Sequence, residues 1–193
     1  LKVSHNDMKG ENLMLGGDGN IRIIDWGLGG INGGKSVPSH VKQRPFQFNL
    51  PFSNILFDRK LPKMNCPAPQ EEQVSAFVTA ASGIPLCRDM SYSEGAGWTE
   101  GNGGPSHYDY VLKAFVPVLY SCSGDKKAEL VARQTFTYVF IDYILQIIKA
   151  FDNKGAFDAD KYFNDVYVFN ADVWGVVTSL ITLLPHKATG LDK

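Results

Sequence analysis

The chain of 193 residues lacks several features that would assign it quickly to a functional class. It has three cysteines, an odd number without C-x-x-C or metal-type spacing, so we expect reduced thiols in a cytosol-like compartment rather than a disulfide framework. Its four histidines are dispersed and suggest no zinc site. No signal peptide is visible, and no stretch reaches the roughly 18 to 20 apolar residues of a membrane-spanning helix. These absences predict a cytoplasmic protein, or one of the host cytoplasm or the virion if its source is a virus.

Charge of either sign is not in excess. The chain has 19 basic and 20 acidic residues and a net charge of −1, which gives no general attraction to nucleic acid or to anionic membrane. We therefore expect neither as a partner, and the composition gives no oligomeric state. With 44% hydrophobic residues, the chain can bury the core of one domain or of part of one.

The most informative residues lie near the start. The stretch H-N-D-M-K-G-E-N covers residues 5–12, and D-W-G follows at residues 25–27. Between them, residues 13–15 and 21–24 form two apolar runs joined by G-G-D-G, which predicts a β-hairpin with a tight turn. Pairing of these strands would bring Asp7, Asn12 and Asp25 towards one spot.

Such a spot has a definite chemistry. Asn and Asp offer the hard oxygen ligands that Mg²⁺ prefers, and protein-bound Mg²⁺ commonly shares its coordination with substrate phosphates. Lys9 adds a positive charge two residues from Asp7, and Asp7 can accept a proton from an attacking hydroxyl. A metal, a cation and a base around one centre fit phosphoryl transfer, which depends mainly on positioning and charge neutralisation.

These two motifs resemble the catalytic loop and the metal-binding turn of eukaryotic-type protein kinases, whose patterns are H-R-D-L-x-x-x-N and D-F-G. The resemblance implies that Asp7 is the catalytic base and that Lys9 steadies the transferred phosphate, as in Ser/Thr kinases. It implies ATP and Mg²⁺ as cofactors, with Asn12 and Asp25 as metal ligands. Lys9, Asn12, Met14 and Asp25 would contact the nucleotide, Met14 under the adenine ring. His5 and Trp26, followed by Gly27, would form a stacked pair that ties the turn to the core.

Three positions depart from the kinase pattern. Asn6 replaces the arginine that normally pairs with an activation-loop phosphate, so we expect activity that does not depend on such phosphorylation. Gly10 replaces a proline and loosens the loop. Trp26 replaces a smaller Phe, so the inward packing of this turn should be harder to undo.

A second motif competes with this interpretation. Residues 29–36 fit the phosphate-binding pattern G-x-x-x-x-G-K-[ST], and they follow a predicted strand. That loop requires a helix beginning at Lys35, but Pro38 and Pro45 follow closely and no amphipathic periodicity appears up to Phe46. We therefore interpret the segment as a Gly-rich activation loop.

The apolar, proline-marked segment Arg44–Phe57 falls where a kinase has the substrate-docking end of its activation segment, marked by A-P-E. Pro51 is a candidate for that proline, but Phe52 then stands where Glu belongs, which puts the usual buried ion pair in doubt. The motif A-P-Q-E at residues 68–71 is a competing match. Ordinary alternatives are a Pro-rich surface loop and a helix start.

Near the end, N-A-D-V-W-G at residues 170–175 opens an apolar run to Leu184. The run predicts a helix capped by Asn170 or Asp172 and buried on nearly all faces. It resembles the central kinase helix opened by D-x-W, and Asp172 would then hold the catalytic loop through backbone N–H groups. The alternative is a plain core helix with an N-terminal Asp.

We predict an α+β, mainly helical fold like a protein-kinase C-lobe. Residues 1–57 would carry the catalytic loop, metal-binding turn and activation segment; residues 58–169 a large, mostly helical insertion; and residues 170–193 the central helix and tail. Within the insertion we expect helices at Glu71–Ser82, Tyr108–Tyr120 and Lys126–Phe151, a long loop at Ser91–Ser106 and a turn at Asp152–Gly155. The last long helix would present a broad apolar face. This layout, with F-N-L-P-F-S-N-I-L-F, resembles the divergent protein kinases of large DNA viruses.

The expected function is therefore ATP- and Mg²⁺-dependent phosphoryl transfer to Ser/Thr of protein substrates. No Gly-rich loop or Lys–Glu pair precedes Leu1, so we expect a fragment without its N-lobe that is inactive and binds ATP weakly by itself. A pseudokinase scaffold, a small-molecule phosphotransferase and a P-loop NTPase remain as alternatives. Retention of Asp7, Lys9, Asn12 and Asp25 argues against a scaffold, and Lys9 argues for protein substrates.

Overall fold

The structure is a computed structural model that describes residues 2–57, apart from residues 33, 35, 43 and 45, together with residues 111–183. Over these residues the fold is α+β and mainly helical, as the sequence predicts. The described strands form two-stranded antiparallel ribbons. No described helix is long and apolar enough to span a bilayer. The helix predicted at residues 71–82, the loop at 91–106 and the A-P-Q-E motif lie outside the described residues.

Two of the ribbons build the N-terminal part. Strand β1 (Lys2–Ser4) pairs with β4 (Gly30–Asn32), and between them β2 (Leu13–Leu15) pairs with β3 (Ile21–Ile23). The β2–β3 hairpin is the one predicted from the sequence. Residues 5–12 and 24–29 therefore lie at corresponding ends of the two ribbons.

The hairpin turn follows from its residues. Gly19 has a φ of 78°, a left-handed conformation that glycine adopts without steric cost. The carboxylate of Asp18 accepts the backbone N–H of Asn20 at 3.1 Å and pairs with Arg22 at 2.9 Å. Local side-chain bonding of this kind is why Asp favours turns.

The chain then enters the interior. After the short helix α1 (Ser39–Lys42), residues 46–57 pass through the core and end in a 3₁₀ helix, Phe52–Phe57, in which every residue is buried. The alternative of a Pro-rich surface loop is therefore wrong for this segment. Its apolar residues are core residues of the protein.

Two described helices come from the predicted insertion. A π-helical turn, Val111–Phe115, leads into α2 (Val116–Leu119), so the described part of the predicted 108–120 helix is helical. Helix α3 (Lys126–Ala150) matches its predicted extent. Its N-terminus is capped by Asp125, whose carboxylate accepts the N–H groups of the second and third helical residues at 3.0 and 3.1 Å.

Helix α3 buries a narrower face than its sequence predicts. A stripe at four-residue spacing is buried: Phe136, Phe140, Ile144 and Ile148. Leu130, Val139 and Tyr143, which make the apolar face broad in the sequence, are exposed. The helix contacts the core along the buried stripe, and the three apolar side chains beside that stripe are exposed to solvent.

The last helix begins earlier than predicted. After the ribbon of β5 (Asp152–Asn153) and β6 (Ala156–Phe157), the chain runs continuously through α4 (Ala159–Tyr162), a π turn (Phe163–Tyr167), α5 (Val168–Ser179) and a 3₁₀ turn (Leu180–Leu183). Asp158 caps it by accepting Lys161 N at 2.9 Å. Asn170 and Asp172 therefore lie inside the helix, and neither caps it. The boundary predicted between residues 169 and 170 falls within α5.

Helix α5 is also not buried on nearly all faces, which corrects a second expectation. Its small residues, Ala171, Gly175 and Thr178, face inward. Large apolar residues on the opposite side are exposed: Phe169, Val173 and Val177 of α5, and Leu180 of the 3₁₀ turn that follows it. Hydrophobicity alone cannot show which side of an apolar helix the fold covers. Here the side with small residues is covered, because it allows close approach of another backbone.

Aromatic rings form two groups within the hydrophobic core. Phe52 packs against Phe46, Phe140 and Trp174 with ring centroids 5.0, 5.6 and 4.8 Å apart. A second group surrounds Phe57, in contact with Tyr162 and Tyr167. Such ring pairs contribute roughly 0.5–1.5 kcal/mol each beyond area burial. Phe52, at the position where the resemblance calls for a Glu, is therefore part of the hydrophobic core.

Candidate active site

The loop after β1 contains an unusual density of buried polar side chains. His5, Asn6 and Asp7 are only 1%, 7% and 9% exposed, and Asn12 in the 3₁₀ turn Gly10–Asn12 is 4% exposed. Buried polar groups are costly unless they are hydrogen-bonded. This loop, residues 5–12, is called the catalytic loop below, after the kinase motif that it resembles.

The first support for the catalytic loop comes from α5. Asp172 accepts the backbone N–H of His5 with Oδ2 at 2.7 Å and that of Asn6 with Oδ1 at 2.8 Å. One carboxylate thus holds two consecutive amides. Asn6 has a φ of 60°, a left-handed conformation uncommon for a non-glycine residue, so these bonds also stabilise a strained turn.

The same face of α5 touches the loop through Gly175. A Cβ built on Gly175 would lie 2.3 Å from the carbonyl oxygen of Met8 and 2.6 Å from its Cβ. Only glycine fits at this distance. Helix α5 therefore sets the position of the loop both by hydrogen bonds and by backbone contact.

The Asp7 carboxylate is the centre of the site. Its Oδ1 accepts from Arg44 Nη2 at 2.7 Å and from Asn49 Nδ2 at 3.0 Å. Its Oδ2 lies 3.1 Å from Lys9 Nζ and 3.3 Å from Asn12 Nδ2. Two donors therefore face each oxygen, and two of the four carry a positive charge.

These donors decide the ionisation of Asp7. Burial by itself would raise the pKa of the carboxyl, but hydrogen bonds from Arg44, Asn49 and Lys9, with the charge of Arg44, outweigh it and hold the pKa below its ordinary value. Asp7 is therefore ionised at neutral pH. An ionised carboxylate can orient and accept a hydroxyl group.

Asn12 links the catalytic loop to the D-W-G turn. Its side-chain nitrogen Nδ2 donates to the backbone carbonyl of Asp7 at 2.8 Å. Its backbone carbonyl accepts Ile24 N at 3.0 Å. Since Ile24 directly precedes Asp25, the hairpin brings the D-W-G turn beside Asn12. With its nitrogen committed to Asp7, Asn12 has its side-chain oxygen available to a cation.

Asp25 is held differently from Asp7. Its backbone is left-handed, with φ and ψ both 60°, and its side chain is exposed. An added Cβ at Gly27 would lie 3.4 Å from Asp25 Oδ1, so the carboxylate turns back over its own loop. Among the described residues Asp25 forms no ion pair. A left-handed backbone at a non-glycine residue stores conformational strain, and such residues cluster at functional sites.

The turn is fixed to the loop by His5 and Trp26. Their rings meet edge to face with centroids 4.8 Å apart. The His5 side chain also bonds Ile24 O through Nε2 at 2.8 Å, and Trp26 Nε1 donates to Ile23 O at 3.0 Å. The pair is T-shaped, whereas the resemblance implies stacked rings.

Met14 lies on the hairpin with half of its surface exposed. Leu15 and Ile21, which pair with each other on the other face of the hairpin, are 72% and 69% exposed, so both faces carry exposed apolar side chains. Lys9 is also accessible, with its side chain 40% exposed. The four residues expected to contact nucleotide thus include a buried amide at Asn12 and three accessible side chains.

Two residues of the site, Arg44 and Asn49, were not expected from the sequence. They lie 37 and 42 residues from Asp7, in a segment whose sequence is mainly apolar. The available signal was a basic and an amide residue in an otherwise apolar run. Such residues must find partners when the run is buried.

Hydroxyl groups of the last helix hold the end of this segment. Tyr162 OH donates to Ser53 Oγ at 2.7 Å, and Tyr167 OH donates to Asn54 Oδ1 at 2.8 Å. Trp174 Nε1 donates to Phe48 O at 3.0 Å. These neutral bonds fix the segment in the region where the resemblance implies a buried ion pair.

The phosphate-loop motif has a different setting from the one it requires. Gly30–Asn32 is strand β4, and the described residues 36–38 are not helical. The next helix, α1, begins at Ser39 and has four residues. Lys35 itself lies outside the described residues. The described part of the motif thus has no helix N-terminus to receive a phosphate.

Comparison with known proteins adds nothing to this geometry: no protein-family model, no curated protein and no solved structure significantly matches the chain.

Proposed function

We propose that this chain carries the catalytic centre of an ATP- and Mg²⁺-dependent protein Ser/Thr kinase. The observation that supports this most is the surroundings of Asp7, a buried, ionised carboxylate between Lys9 and Asn12. A polar turn with no function has no need of a buried carboxylate with four donors. The proposed acceptor is a Ser or Thr hydroxyl of a protein substrate.

In this proposal Asp7 orients the acceptor hydroxyl and receives its proton. Lys9, with its ammonium at 3.1 Å from Asp7 Oδ2 and partly exposed, balances charge on the transferred phosphoryl group. Because the two side chains touch, the acceptor oxygen and the phosphoryl group would be held close together. Positioning of this kind accounts for most of the rate acceleration in phosphoryl transfer.

The proposed donor set has the chemistry that Mg²⁺ selects. Asn12 and Asp25 contribute one amide and one carboxylate oxygen, both of the hard type that Mg²⁺ selects. Among residues 2–57 and 111–183, no three His, Cys, Asp or Glu side chains are grouped to hold a metal by themselves. The remaining ligands would be nucleotide phosphates and water. Bound there, Mg²⁺ would supply charge neutralisation for the phosphates.

The test is transfer of radiolabelled γ-phosphate from ATP to Ser/Thr peptides by the intact protein that contains this chain. Removing a general base at Asp7 by Asp7→Asn is expected to lower turnover by roughly 10²- to 10⁴-fold. Asp142→Asn, at an exposed carboxylate of α3, is the matched control and should leave turnover unchanged. Absence of transfer by the parent protein, or transfer equal in Asp7→Asn, would favour an interaction scaffold.

A further inference from the structure

Arg44, which the kinase pattern does not single out, makes two hydrogen bonds to the catalytic loop, as many as Asp172 does. The Arg44 side chain is 11% exposed. Nη2 donates to Asp7 Oδ1 at 2.7 Å, and Nη1 donates to the carbonyl of Asn6 at 3.0 Å. Nε donates to Gln47 Oε1 at 2.9 Å, and Nη2 also contacts that oxygen. The guanidinium therefore joins the catalytic loop to the buried segment that follows α1.

Arg44 is itself anchored to the core. Its carbonyl accepts Asn54 Nδ2 at 3.2 Å, and Asn54 Oδ1 accepts the hydroxyl of Tyr167, a residue 2% exposed. A continuous series of hydrogen bonds thus runs from the last helix through Asn54 and Arg44 to the Asp7 carboxylate. Each member is fixed by the next.

Two roles for Arg44 can be compared by geometry. One is a plug, which blocks Asp7 and leaves when the substrate binds; the other is a positioning residue, which stays on the carboxylate. A carboxylate offers about four lone-pair positions, and four donors surround Asp7, so an incoming hydroxyl must displace one of them. If Arg44 were a plug, it would have to leave, breaking the shortest of the four contacts and an ion pair with little solvent exposure. Removing one partner of such a pair is strongly unfavourable.

Asn12 is the donor that yields most easily. Its 3.3 Å contact with Asp7 Oδ2 is the longest of the four, and the same nitrogen keeps its 2.8 Å bond to the Asp7 carbonyl when the contact is lost. Oδ2 is also the oxygen beside Lys9. The hydroxyl would therefore approach Oδ2, and Arg44 can remain on Oδ1 throughout.

We propose that Arg44 is a positioning residue for phosphoryl transfer, which aligns Asp7 and locks the segment at residues 44–57 to the catalytic loop without any phosphate. The proposal rests on the proposed kinase function and adds its regulation. Position 6 holds Asn, so the loop itself has no arginine there to bind a phosphorylated segment. The arginine is instead on the segment, and its partner is the catalytic carboxylate.

The first experiment measures the contact without catalysis. Thermal unfolding of the chain is compared for Arg44→Met, Asp7→Asn and the double variant, with Arg133→Met on α3 as the arginine control. We expect Arg44→Met to lower the unfolding midpoint clearly in the parent chain and by less than half as much in Asp7→Asn. Equal shifts in both backgrounds would show no coupling and overturn the proposal. Arg133→Met should give equal shifts.

The second experiment measures peptide phosphorylation by the intact protein. We expect Arg44→Met to lower kcat by about tenfold or more, in line with the cost of small misplacements, while the KM for ATP stays within twofold. Arg44→Lys, which keeps the charge but not the planar fork, should restore part of kcat. Phosphatase treatment beforehand should leave the parent kcat unchanged.

The outcomes separate the two proposals. A parent protein that transfers no phosphate overturns the kinase function and the positioning role together, whatever coupling is measured. An active parent with unchanged kcat in Arg44→Met overturns the positioning role alone. A higher kcat in Arg44→Met would show that Arg44 is a plug, and loss of activity on phosphatase treatment would show that the lock requires phosphate.

Discussion

The carboxylate of Asp172 accepts the backbone N–H of His5 at 2.7 Å, although the two residues are 167 positions apart in the chain. The same carboxylate accepts the N–H of Asn6 at 2.8 Å. Through these bonds the last helix holds the loop that carries Asp7. The geometry of the candidate site therefore depends on a residue that touches neither Lys9 nor Asn12 in the described contacts.

Replacing Asp172 by Asn tests this dependence. An amide group can accept one of the two N–H groups but presents its own N–H₂ to the other, which leaves a partly buried donor without an acceptor. Loss of a charged acceptor of this kind typically costs about 1–3 kcal/mol. We expect Asp172→Asn to lower the free energy of unfolding by that amount in urea denaturation.

The control for Asp172→Asn is Asp165→Asn, at an exposed carboxylate of the same continuous helix that pairs with Lys161. Exposed ion pairs contribute little, so a change within about 0.5 kcal/mol is expected there. Equal effects of the two substitutions would mean that the bonds of Asp172 to the loop do not contribute to stability.

The change in stability caused by Gly175→Ala has opposite signs if helix propensity or if steric contact with Met8 dominates. Helix propensity alone favours alanine over glycine by about 1 kcal/mol. However, a Cβ at Gly175 would lie 2.3 Å from the carbonyl oxygen of Met8, so helix and loop would have to separate. We expect Gly175→Ala to destabilise the chain by about 1–3 kcal/mol, the usual cost of overpacking, and to lower phosphoryl transfer by the intact protein.

Gly17 is the matched control, because an added Cβ there meets nothing within 4 Å and its φ is not positive. Gly17→Ala should leave the unfolding free energy within about 0.5 kcal/mol of the parent or raise it slightly. If Gly175→Ala proves stabilising, the close approach of α5 to Met8 is incorrect.

The sequence predicted the parts of this structure that local chemistry determines. The β2–β3 hairpin follows from Asp18 and Gly19 in its turn, and the extent of α3 from the helical spacing of its apolar residues, whereas its cap at Asp125 is a finding of the structure. The catalytic loop and the D-W-G turn were found because their residues are contiguous. Their arrangement around Asn12 follows from the hairpin that joins them.

Long-range packing decided what the sequence could not. Arg44 and Asn49 contact Asp7 from a segment whose path through the core cannot be predicted from its local sequence. The start of the last helix cannot be predicted from composition, because Asp158 and Asp172 are equally suitable caps and only tertiary contacts assign Asp172 to the loop. The exposed side of α5 was unpredictable for the same reason: an apolar helix does not show which neighbour covers it.

Alkaline pH should weaken the fold through two buried tyrosines. Burial raises the pKa of Tyr162, with a further contribution from nearby Tyr143, and burial also raises that of Tyr167. Both stay protonated in the folded chain above pH 10, whereas the unfolded chain ionises near pH 10. Stability is therefore complete below about pH 10 and declines above it, by up to about 1.4 kcal/mol per pH unit for each tyrosine.

The measurement is urea denaturation between pH 8 and about pH 11.5, above the ordinary tyrosine pKa. Tyr162→Phe and Tyr167→Phe each remove one titrating group, so the decline above pH 10 should become shallower in each variant. Each also loses one hydrogen bond, to Ser53 or Asn54, which lowers stability at pH 8 by about 0.5–1.5 kcal/mol. Tyr138→Phe, at an exposed tyrosine of α3, should change neither quantity. An unchanged decline in both buried variants would contradict the assignment.

The role proposed for Asp25 predicts a change in metal dependence. Asp25→Asn keeps the shape of the side chain and removes its charge, so the site would bind Mg²⁺ less tightly without losing the hairpin. In the intact protein we expect the Mg²⁺ concentration for half-maximal phosphoryl transfer to rise at least about tenfold, the equivalent of 1.4 kcal/mol of binding free energy. Asp18→Asn is the control, because Asp18 lies on the same hairpin and pairs only with Asn20 and Arg22 in the described contacts. If Asp25→Asn and Asp18→Asn show the same Mg²⁺ dependence as the parent, Asp25 is not a ligand, and its left-handed backbone then serves only the turn that carries Trp26.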